Sequence, residues 1–225
     1  ELEIQKPQRS GQILSLANWI PGSYLVRNFA KHITSLSASS NGKPIKVKKL
    51  NKNHWQCDPC KDTLLISYEI YAFDLSVRCA YLNDERAFFN GTSVFLKAHG
   101  FENEPCEIEI YQPPKSQAKD HWKIATTLEK HSESKTHSTY KANNYDQLID
   151  HPVEMADFQT LNFSVAGISH QMVITGEHNV DNVRLIADLE LVCQHHIDFF
   201  ENSIFQHTHR RLRLGQLITK RTSIF

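Results

Sequence analysis

The stretch ANWIPGSYLVRNFAKH, residues 17–32, places a Pro-Gly pair between two aromatic residues in a segment that is otherwise largely apolar. Pro21 fixes its own φ near about −65° and biases Ile20 toward an extended backbone, while Gly22 permits a tight reversal. A continuous helix is therefore disfavoured. The pattern predicts a strand over residues 13–20 that ends in a turn at the Pro-Gly pair.

Arg27 is the only formally charged residue between positions 17 and 29, and it lies among apolar and aromatic neighbours. A half-buried guanidinium needs hydrogen-bond acceptors, so we expect Arg27 to hold loop carbonyls or a carboxylate in place. Local physics favours a purely structural role for this corner. The corner residues are Trp19, Pro21, Gly22, Tyr24 and Arg27.

Length and composition indicate a globular protein and bear on its partners and cellular location. A chain of 225 residues can bury one large core or two smaller ones. Lys plus Arg equals Asp plus Glu, which predicts no nucleic-acid and no membrane partner and leaves the oligomeric state open. No apolar run approaches the roughly 18 residues that span a bilayer. Five cysteines without framework spacing and no recognisable signal peptide predict reduced thiols and a cytoplasmic location.

Most of the sequence to about residue 112 carries strand signals. Asn41-Gly42 suits a type I′ hairpin turn because both residues tolerate positive φ, and Asn90-Gly91 repeats the dipeptide in a second predicted hairpin. The spacing of strands and turns predicts a sandwich-like β domain. The predicted strands in this part are residues 33–38, 45–50, 63–73 (a central strand) and 107–111, with the second hairpin over 86–97.

The later segments are more varied. Residues 180–200 carry an apolar stripe at helical spacing, capped by Asn179 or Asp181, and its width predicts burial against a sheet or another helix. The polar segment 130–137 is predicted to be a mobile loop. The other predicted elements are a strand over 122–128, a helical turn over 145–149, and extended segments over 158–165 and 170–175 joined near Gly167.

Thirteen histidines raise the question of a metal site, yet none is followed directly by Glu, so the His-Glu-x-x-His zinc motif is absent. His195 and His196 are adjacent and diverge on a helix, and His207 and His209 lack a third ligand. Cys57 and Cys60 could bind zinc or cycle as a redox pair, but a second pair is missing and Pro59 accounts for the spacing as a turn. We predict no catalytic residue and no metal ligand in this chain.

Four blocks, in order along the chain, resemble metallopeptidase family sixty-one, the PDZ-containing glycyl aminopeptidases, which are thermolysin-like zinc peptidases. The blocks are WIPGSYLVRNFAKH (19–32), RAFFNGTSVFL (86–96), YDQLIDHPVEMADF (145–158) and FSVAGISHQMVITG (163–176). Four matches in the same order, spread over most of the chain, indicate the family more specifically than the block at 19–32 does alone. The chain is therefore identified as similar to the N-terminal part of that family.

The resemblance implies a mainly β fold: a sandwich-like β domain at 1–162, and at 163–202 the strands and one long helix that begin a thermolysin-like α/β catalytic domain. A basic tail at 203–225 departs from the family pattern, which suggests a truncated or frame-shifted reading frame. The resemblance also implies that the full-length enzyme binds zinc and acts on peptides. This portion, which lacks the zinc helix, would be inactive alone and hold no cofactor.

For substrate binding, the resemblance implies that Asp150 and Glu154 supply carboxylates for the free amine of a peptide and that the Asn90-Gly91-Thr92 turn supplies backbone donors. The residues alone favour structural roles, in which Asp150 turns the chain before Pro152 and Asn90-Gly91 closes a hairpin. Two further functions stay open. One is a free-standing β-sandwich interaction module, and the other is a self-sufficient metalloenzyme with an unrecognised His/Cys set.

Overall fold

The structure, a computed structural model, describes residues 1–20, 23, 25–114 and 122–205, with the backbone only for 201–205. The described part is mainly β, with one long helix near its C-terminal end, as the sequence predicts. The strands are β1 (Leu2–Ile4), β2 (Ile13–Ser15), β3 (Ile33–Ser40), β4 (Lys43–Ile45), β5 (Val47–Lys49), β6 (His54–Cys57), β7 (Leu64–Ile70), β8 (Ala80–Leu82), β9 (Arg86–Phe89), β10 (Lys97–Ala98), β11 (Cys106–Tyr111), β12 (Lys123–Ala125), β13 (Glu129–Glu133), β14 (His137–Ala142), β15 (Val153–Ala156), β16 (Phe158–Val165) and β17 (Ile168–Thr175). The helices are α1 (Tyr145–Ile149) and α2 (Asn182–Phe205), and short 3₁₀ turns occupy Phe29–His32 and Gly91–Ser93.

The chain divides into two compact units, residues 1–155 and residues 156 onward. The first unit contains four sheets, with strand orders β1-β7-β3-β4, β10-β2-β6-β5, β11-β14-β13 and β12-β15-β9-β8. Strand β7 lies inside its sheet between β1 and β3, which confirms the prediction of a central strand. The predicted boundary at 162/163 falls inside β16, whereas the compact units divide between Met155 and Ala156.

Two apolar cores explain why the first unit forms layers. The sheet containing β7 and the sheet containing β2 bury one shared cluster, because their alternating strands direct apolar side chains to the same side. The members of this cluster with no exposed surface are Leu14, Leu16, Cys57, Leu64 and Ile66. The other two sheets and α1 supply a second cluster, which includes Ala87, Ile110, Trp122, Tyr140, Leu148, Val153 and Met155.

The Asn41-Gly42 turn is a type I′ hairpin, as the sequence predicts. Asn41 has φ of 50° and Gly42 has φ of 72°, and Ser40 pairs with Lys43 across the turn. The strand predicted over residues 45–50 is wrong in one respect. It is divided between β4, which pairs with β3, and β5, which pairs with β6 in a different sheet.

The strand predicted over residues 13–20 is shorter in the structure, where β2 spans Ile13–Ser15. Strand β2 ends at Ser15 because Asn53 satisfies the backbone of Leu16 from both sides, with its carbonyl and its side-chain amide. Ser23 N–H donates to the Ile20 carbonyl at 3.1 Å, the bond expected of a four-residue turn. Pro21, Gly22 and Tyr24 of the predicted motif lie outside the described residues.

Arg27 is half-buried, as expected, and among the described residues its guanidinium binds a hydroxyl group and not the predicted carbonyl or carboxylate. Its Nη2 donates to the hydroxyl of Ser23 at 3.4 Å, and its backbone N–H donates to the Asn18 carbonyl. Nε is buried without an acceptor among the described residues. Trp19, at 58% exposed, lies on the surface of the corner. Within the described part of the chain, Arg27 thus connects the two sides of the turn: its side chain bonds Ser23 and its backbone bonds Asn18.

The segment 130–137, predicted to be a mobile polar loop, instead forms most of a hairpin between β13 and β14. All five residues of β13 are exposed, so its side chains show no apolar alternation. Backbone pairing with β14, which also pairs with β11, holds the strand in place. A strand that is stabilised mainly by main-chain hydrogen bonds need not show apolar alternation, so its sequence does not predict it.

The described part of the second unit contains the β16–β17 hairpin and α2. Ala166 and Gly167 take positive φ values of 50° and 76° and turn the hairpin near the predicted position. Asp181 caps α2 by accepting the N–H groups of Val183 and Arg184 through Oδ1, each at 3.1 Å. This confirms one of the two predicted caps.

The apolar stripe of α2 is buried only along its centre. Cys193 and Ile197 pack against Val165 of β16, with Phe163 beside them. Other members of the stripe stay exposed, because a two-stranded hairpin is too narrow to cover a face this wide. These are Val183 at 81%, Val192 at 46%, Phe199 at 65% and Phe200 at 49%. The tail predicted at 203–225, with His207 and His209, lies outside the described residues from position 206 on.

Replacing Gly42 with alanine tests the hairpin. No atom lies within 4 Å of the added Cβ, so the change penalises only the positive φ. We expect a loss of about 1–2 kcal/mol in the free energy of unfolding, measured by urea denaturation. Lys43→Ala, at an exposed position in the same hairpin, is the control and should change stability by less than about 0.5 kcal/mol. Equal stability of Gly42→Ala and the wild type would contradict the assigned turn.

Candidate functional site

The Asn90-Gly91-Thr92 segment does not close a hairpin, so that prediction is wrong. The chain leaves β9 at Phe89, makes a 3₁₀ turn over Gly91–Ser93, and continues into β10, which pairs with β2 in another sheet. Asn90 has φ of −87°, in contrast to the positive φ of Asn41. The same dipeptide therefore adopts two different backbone conformations in this chain.

Asn90 organises the turn with its side chain. Oδ1 accepts the N–H of Thr92 at 3.1 Å and also the Thr92 hydroxyl, while the Asn90 carbonyl accepts both the N–H and the hydroxyl of Ser93. These donors are therefore engaged within the turn and do not point outward. Thr92 is 1% and Ser93 4% exposed, which fits a rigid, internally satisfied element.

Gly91 is required for space. A Cβ built at this position would lie 2.8 Å from Cα of Ile149 and 3.2 Å from the Leu148 carbonyl oxygen. The 3₁₀ turn thus packs directly on the backbone at the end of α1. This contact brings together two of the blocks that the sequence singled out, since Asp150 follows Ile149.

Helix α1 is held in place at its start by two side chains. Asn144 Oδ1 accepts the N–H of Gln147 at 2.7 Å and caps the start of the helix. The Tyr145 hydroxyl donates to the Phe95 carbonyl at 2.9 Å, just beyond the 3₁₀ turn. Burial raises the pKa of Tyr145 well above its usual range, so the phenol remains a donor. The predicted helical turn over 145–149 is confirmed.

Asp150 forms the C-cap of α1 and is exposed. Its backbone N–H donates to the Gln147 carbonyl at 3.3 Å, and its carboxylate makes no hydrogen bond or ion pair within the described residues. The structure therefore gives the backbone of Asp150 a turning role before Pro152. Its carboxylate stays accessible to solvent at the edge of the site.

Glu154 has the opposite environment. It lies on β15, is 2% exposed, and pairs through Oε1 with Arg86 Nη2 at 2.7 Å. Arg86 begins β9, which is the neighbour of β15 in the sheet. A buried carboxylate needs such a partner, because desolvating a lone charge is costly. The ion pair thus joins the strand that leads into the Asn90 turn with the strand that follows Asp150.

A second polar cluster lies apart from the predicted residues. His99 Nε2 lies 2.9 Å from the Ser15 hydroxyl, its Nδ1 lies 3.8 Å from Glu102 Oε1, and its ring centroid lies 5.4 Å from that of His54. Burial, with smaller contributions from His54 and Lys97, lowers the pKa of His99, while Glu102 opposes the shift. No sequence motif connects these residues, since strand pairing of β2 with β6 and β10 brings them together.

Cys57 and Cys60 differ in burial. Cys57 is fully buried, and burial raises the pKa of its thiol to about 11, with a further contribution from Cys60. Both thiols are free. Across the described ranges, no group of three or more His, Cys, Asp or Glu residues is arranged to hold a metal ion. Neither described helix is long and apolar enough to cross a membrane.

Comparisons with known proteins relate this arrangement to peptidases. Residues 1–157 match the family model described as the Peptidase M61 N-terminal domain. The chain is also similar to a crystal structure of an aminopeptidase N family protein from Idiomarina loihiensis, with 41% sequence identity and a TM-score of 0.82. That alignment covers 88% of this chain and 33% of the relative, so the chain spans about one third of the relative's length. No curated protein matches the chain.

Gly91→Ala tests the close approach at the site. The added methyl group meets backbone, which cannot rotate away, so we expect a loss of about 1–3 kcal/mol in the free energy of unfolding. Shortening the neighbouring side chain with Ile149→Ala should not relieve the penalty, because the clash is with Cα of Ile149, which alanine retains. A stabilising effect of Gly91→Ala in urea unfolding would rule out this contact.

The His99 cluster predicts a pH dependence of stability. The folded state holds the pKa of His99 below its unfolded value near about 6.5, so the unfolded chain binds more protons as pH falls. Stability should decrease from pH 7 through 6.5 toward the lowered pKa. His99→Gln should flatten that decrease in urea titrations followed by tryptophan fluorescence, whereas the exposed His195→Gln control should retain it. An unchanged slope in His99→Gln would contradict the assignment.

Proposed function

The chain belongs to peptidase family M61, whose N-terminal domain it carries, and from this membership we propose that it is the non-catalytic N-terminal portion of a zinc-dependent aminopeptidase. In this proposal the 1–155 unit frames the binding site for the amino end of a peptide. Residues 163–202, within the second unit, begin a thermolysin-like catalytic domain. The activity belongs to the whole enzyme, and this portion is inactive by itself.

The observation that carries the proposal is the convergence of two sequence blocks at one surface. The Asn90 turn packs through Gly91 on the end of α1, and that contact sets the position of Asp150. Backbone packing of this kind leaves little freedom, so the carboxylate is presented from a fixed base. A peptide's ammonium group is the natural partner for an exposed carboxylate without an ion pair.

The two predicted carboxylates then take different roles. Asp150 is accessible and contacts the substrate amine. Glu154, buried beside Arg86, keeps β9 and β15 in register and acts as a positioning residue. Asn90 and Thr92 contribute by holding the turn rigid, because their hydrogen bonds are satisfied within it.

Zinc is implied for the whole enzyme by the family. The described residues of this chain do not fit a zinc site, since no suitable group of ligands occurs among them. No catalytic step is therefore assigned to these residues. A cytoplasmic location is part of the proposal and is supported by five free cysteines, which suit a reducing compartment.

A free-standing interaction module is the second candidate. It is favoured by one observation: the 1–155 unit has two apolar cores of its own and needs no metal to explain its packing. The two candidates differ in what happens when this unit is joined to a catalytic domain.

A chimera tests the proposal. Residues 1–155 replace the matching part of the Idiomarina loihiensis relative, and hydrolysis of glycyl-4-nitroanilide is measured with and without a zinc chelator. We expect the chimera to keep chelator-sensitive activity, while the 225-residue chain alone shows none. A chimera that folds but is inactive, beside an active parent, would favour the interaction module. Zinc-dependent turnover by the chain alone would contradict the non-catalytic assignment.

Within the chimera, Asp150→Asn should raise KM about five- to tenfold with little change in kcat, because it removes one charged contact to the substrate. Glu85→Gln, at an exposed turn outside the site, is the matched control. Glu154→Gln should lower thermal stability as well as activity. An Asp150→Asn variant with the kinetics of Glu85→Gln would exclude the proposed contact.

A further inference from the structure

The 1–155 unit contains an apolar groove of about 900 Å³, distinct from the surface at Asp150. Its lining includes Trp122 and Met155, which belong to the second core and are 4% and 6% exposed. Tyr81 and Leu82 of β8 also line it. A volume of this size with mainly apolar walls falls within the range of ligand-binding clefts in proteins.

The groove continues into exposed aromatic surface. Leu82 is 53% exposed and Tyr111 59%, although both are large apolar side chains. Phe73, itself 62% exposed, stacks on Tyr81 with ring centroids 5.2 Å apart. Stacked rings lose little conformational freedom when a ligand binds, and a contiguous exposed apolar surface of this kind marks an interaction site.

Among the described residues that line the groove, one is charged. Asp84, in the turn between β8 and β9, lines the groove, is exposed, and has no hydrogen bond or ion pair within the described residues. The turn is fixed by Asn83, whose Oδ1 accepts the N–H groups of Glu85 at 3.0 Å and Arg86 at 2.8 Å. An apolar cleft bordered by one fixed carboxylate suits an apolar ligand that also carries a positive charge.

We propose that this groove binds a short peptide segment whose apolar side chains lie over Tyr81 and Leu82 and whose lysine or arginine side chain reaches Asp84. The choice of a peptide rests on the proposed function. The site differs from the one at Asp150, because it recognises internal side chains and does not need a free amino terminus.

Blocked tripeptides test the site without involving the aminopeptidase function. The 225-residue chain is titrated with acetyl-Phe-Leu-Lys-amide and acetyl-Phe-Leu-Glu-amide by calorimetry and by tryptophan fluorescence, with Trp122→Phe identifying the reporting residue. The acetyl group removes the amine that Asp150 would bind. We expect saturable binding that is several-fold tighter for the lysine peptide and weakens with added salt.

Three variants locate the binding. Leu82→Asp should weaken binding of both peptides, the glutamate peptide by about tenfold and the lysine peptide by less, because the apolar contact is lost while the new carboxylate repels glutamate and attracts lysine. Asp84→Asn should weaken only the lysine peptide, about two- to fivefold. Leu50→Asp changes an exposed leucine that does not line the groove, and it should bind like the wild type.

Several results would overturn the proposal. These are no saturable binding of either peptide, equal effects of Leu82→Asp and Leu50→Asp, or preference for the glutamate peptide. Self-association in sedimentation experiments that Leu82→Asp abolishes would assign the groove to a second copy of the chain instead. Because none of these readouts measures hydrolysis, their failure leaves the chimera experiment unaffected, and an inactive chimera leaves the binding result unaffected.

Discussion

The structure of the first unit depends on a backbone contact that only glycine permits. Gly91 lies against Cα of Ile149, so the 3₁₀ turn after β9 and the end of α1 occupy adjoining space. Around this contact, Tyr145 bonds the Phe95 carbonyl and Asn90 closes its own turn. The Tyr145–Phe95 bond and the Gly91–Ile149 contact join residues 50 or more positions apart in sequence, so together they fix the relative positions of these segments. Packing of this density transmits small displacements.

Asp150 and Glu154 have the same predicted role in the sequence analysis but differ in burial in the structure. Glu154 is enclosed and neutralised by Arg86, and Asp150 remains in solvent at the C-cap of α1. Desolvation explains the difference, because a buried carboxylate is tolerated only beside a cation, whereas an exposed one retains its water and its capacity to bind other charges. The same contrast appears at Asp84, an exposed carboxylate beside an apolar cleft. Geometry thus distinguishes residues that hold the fold from residues that are free to bind.

The sequence predicted well wherever a local rule applied. Asn41-Gly42 turns as a type I′ hairpin, a helical turn forms over residues 145–149, and Asp181 caps α2. It failed where tertiary packing overrode that rule. Asn90-Gly91 has the same letters as Asn41-Gly42, yet its glycine is needed for clearance from Ile149, a contact invisible without α1 in place. Strand β13 was missed because its stabilisation comes from main-chain pairing, and the His99 cluster because three separate strands assemble it. The substrate-binding roles of Asn90, Thr92, Asp150 and Glu154 stay predictions.

Cys57 is a probe of local unfolding in the first core, because its thiol can be labelled only when the core opens. Its thiol has no exposed surface and, with a pKa near 11, is almost wholly protonated at neutral pH. An alkylating reagent reacts with thiolate that it can reach, so modification at this position must wait for β6 to separate from its neighbours. The rate of labelling therefore reports how often the sheet opens, while the partly exposed Cys60, three residues away, supplies an internal reference for reagent reactivity. Two free thiols of different exposure can in this way report the rate at which the sheet containing β6 opens locally.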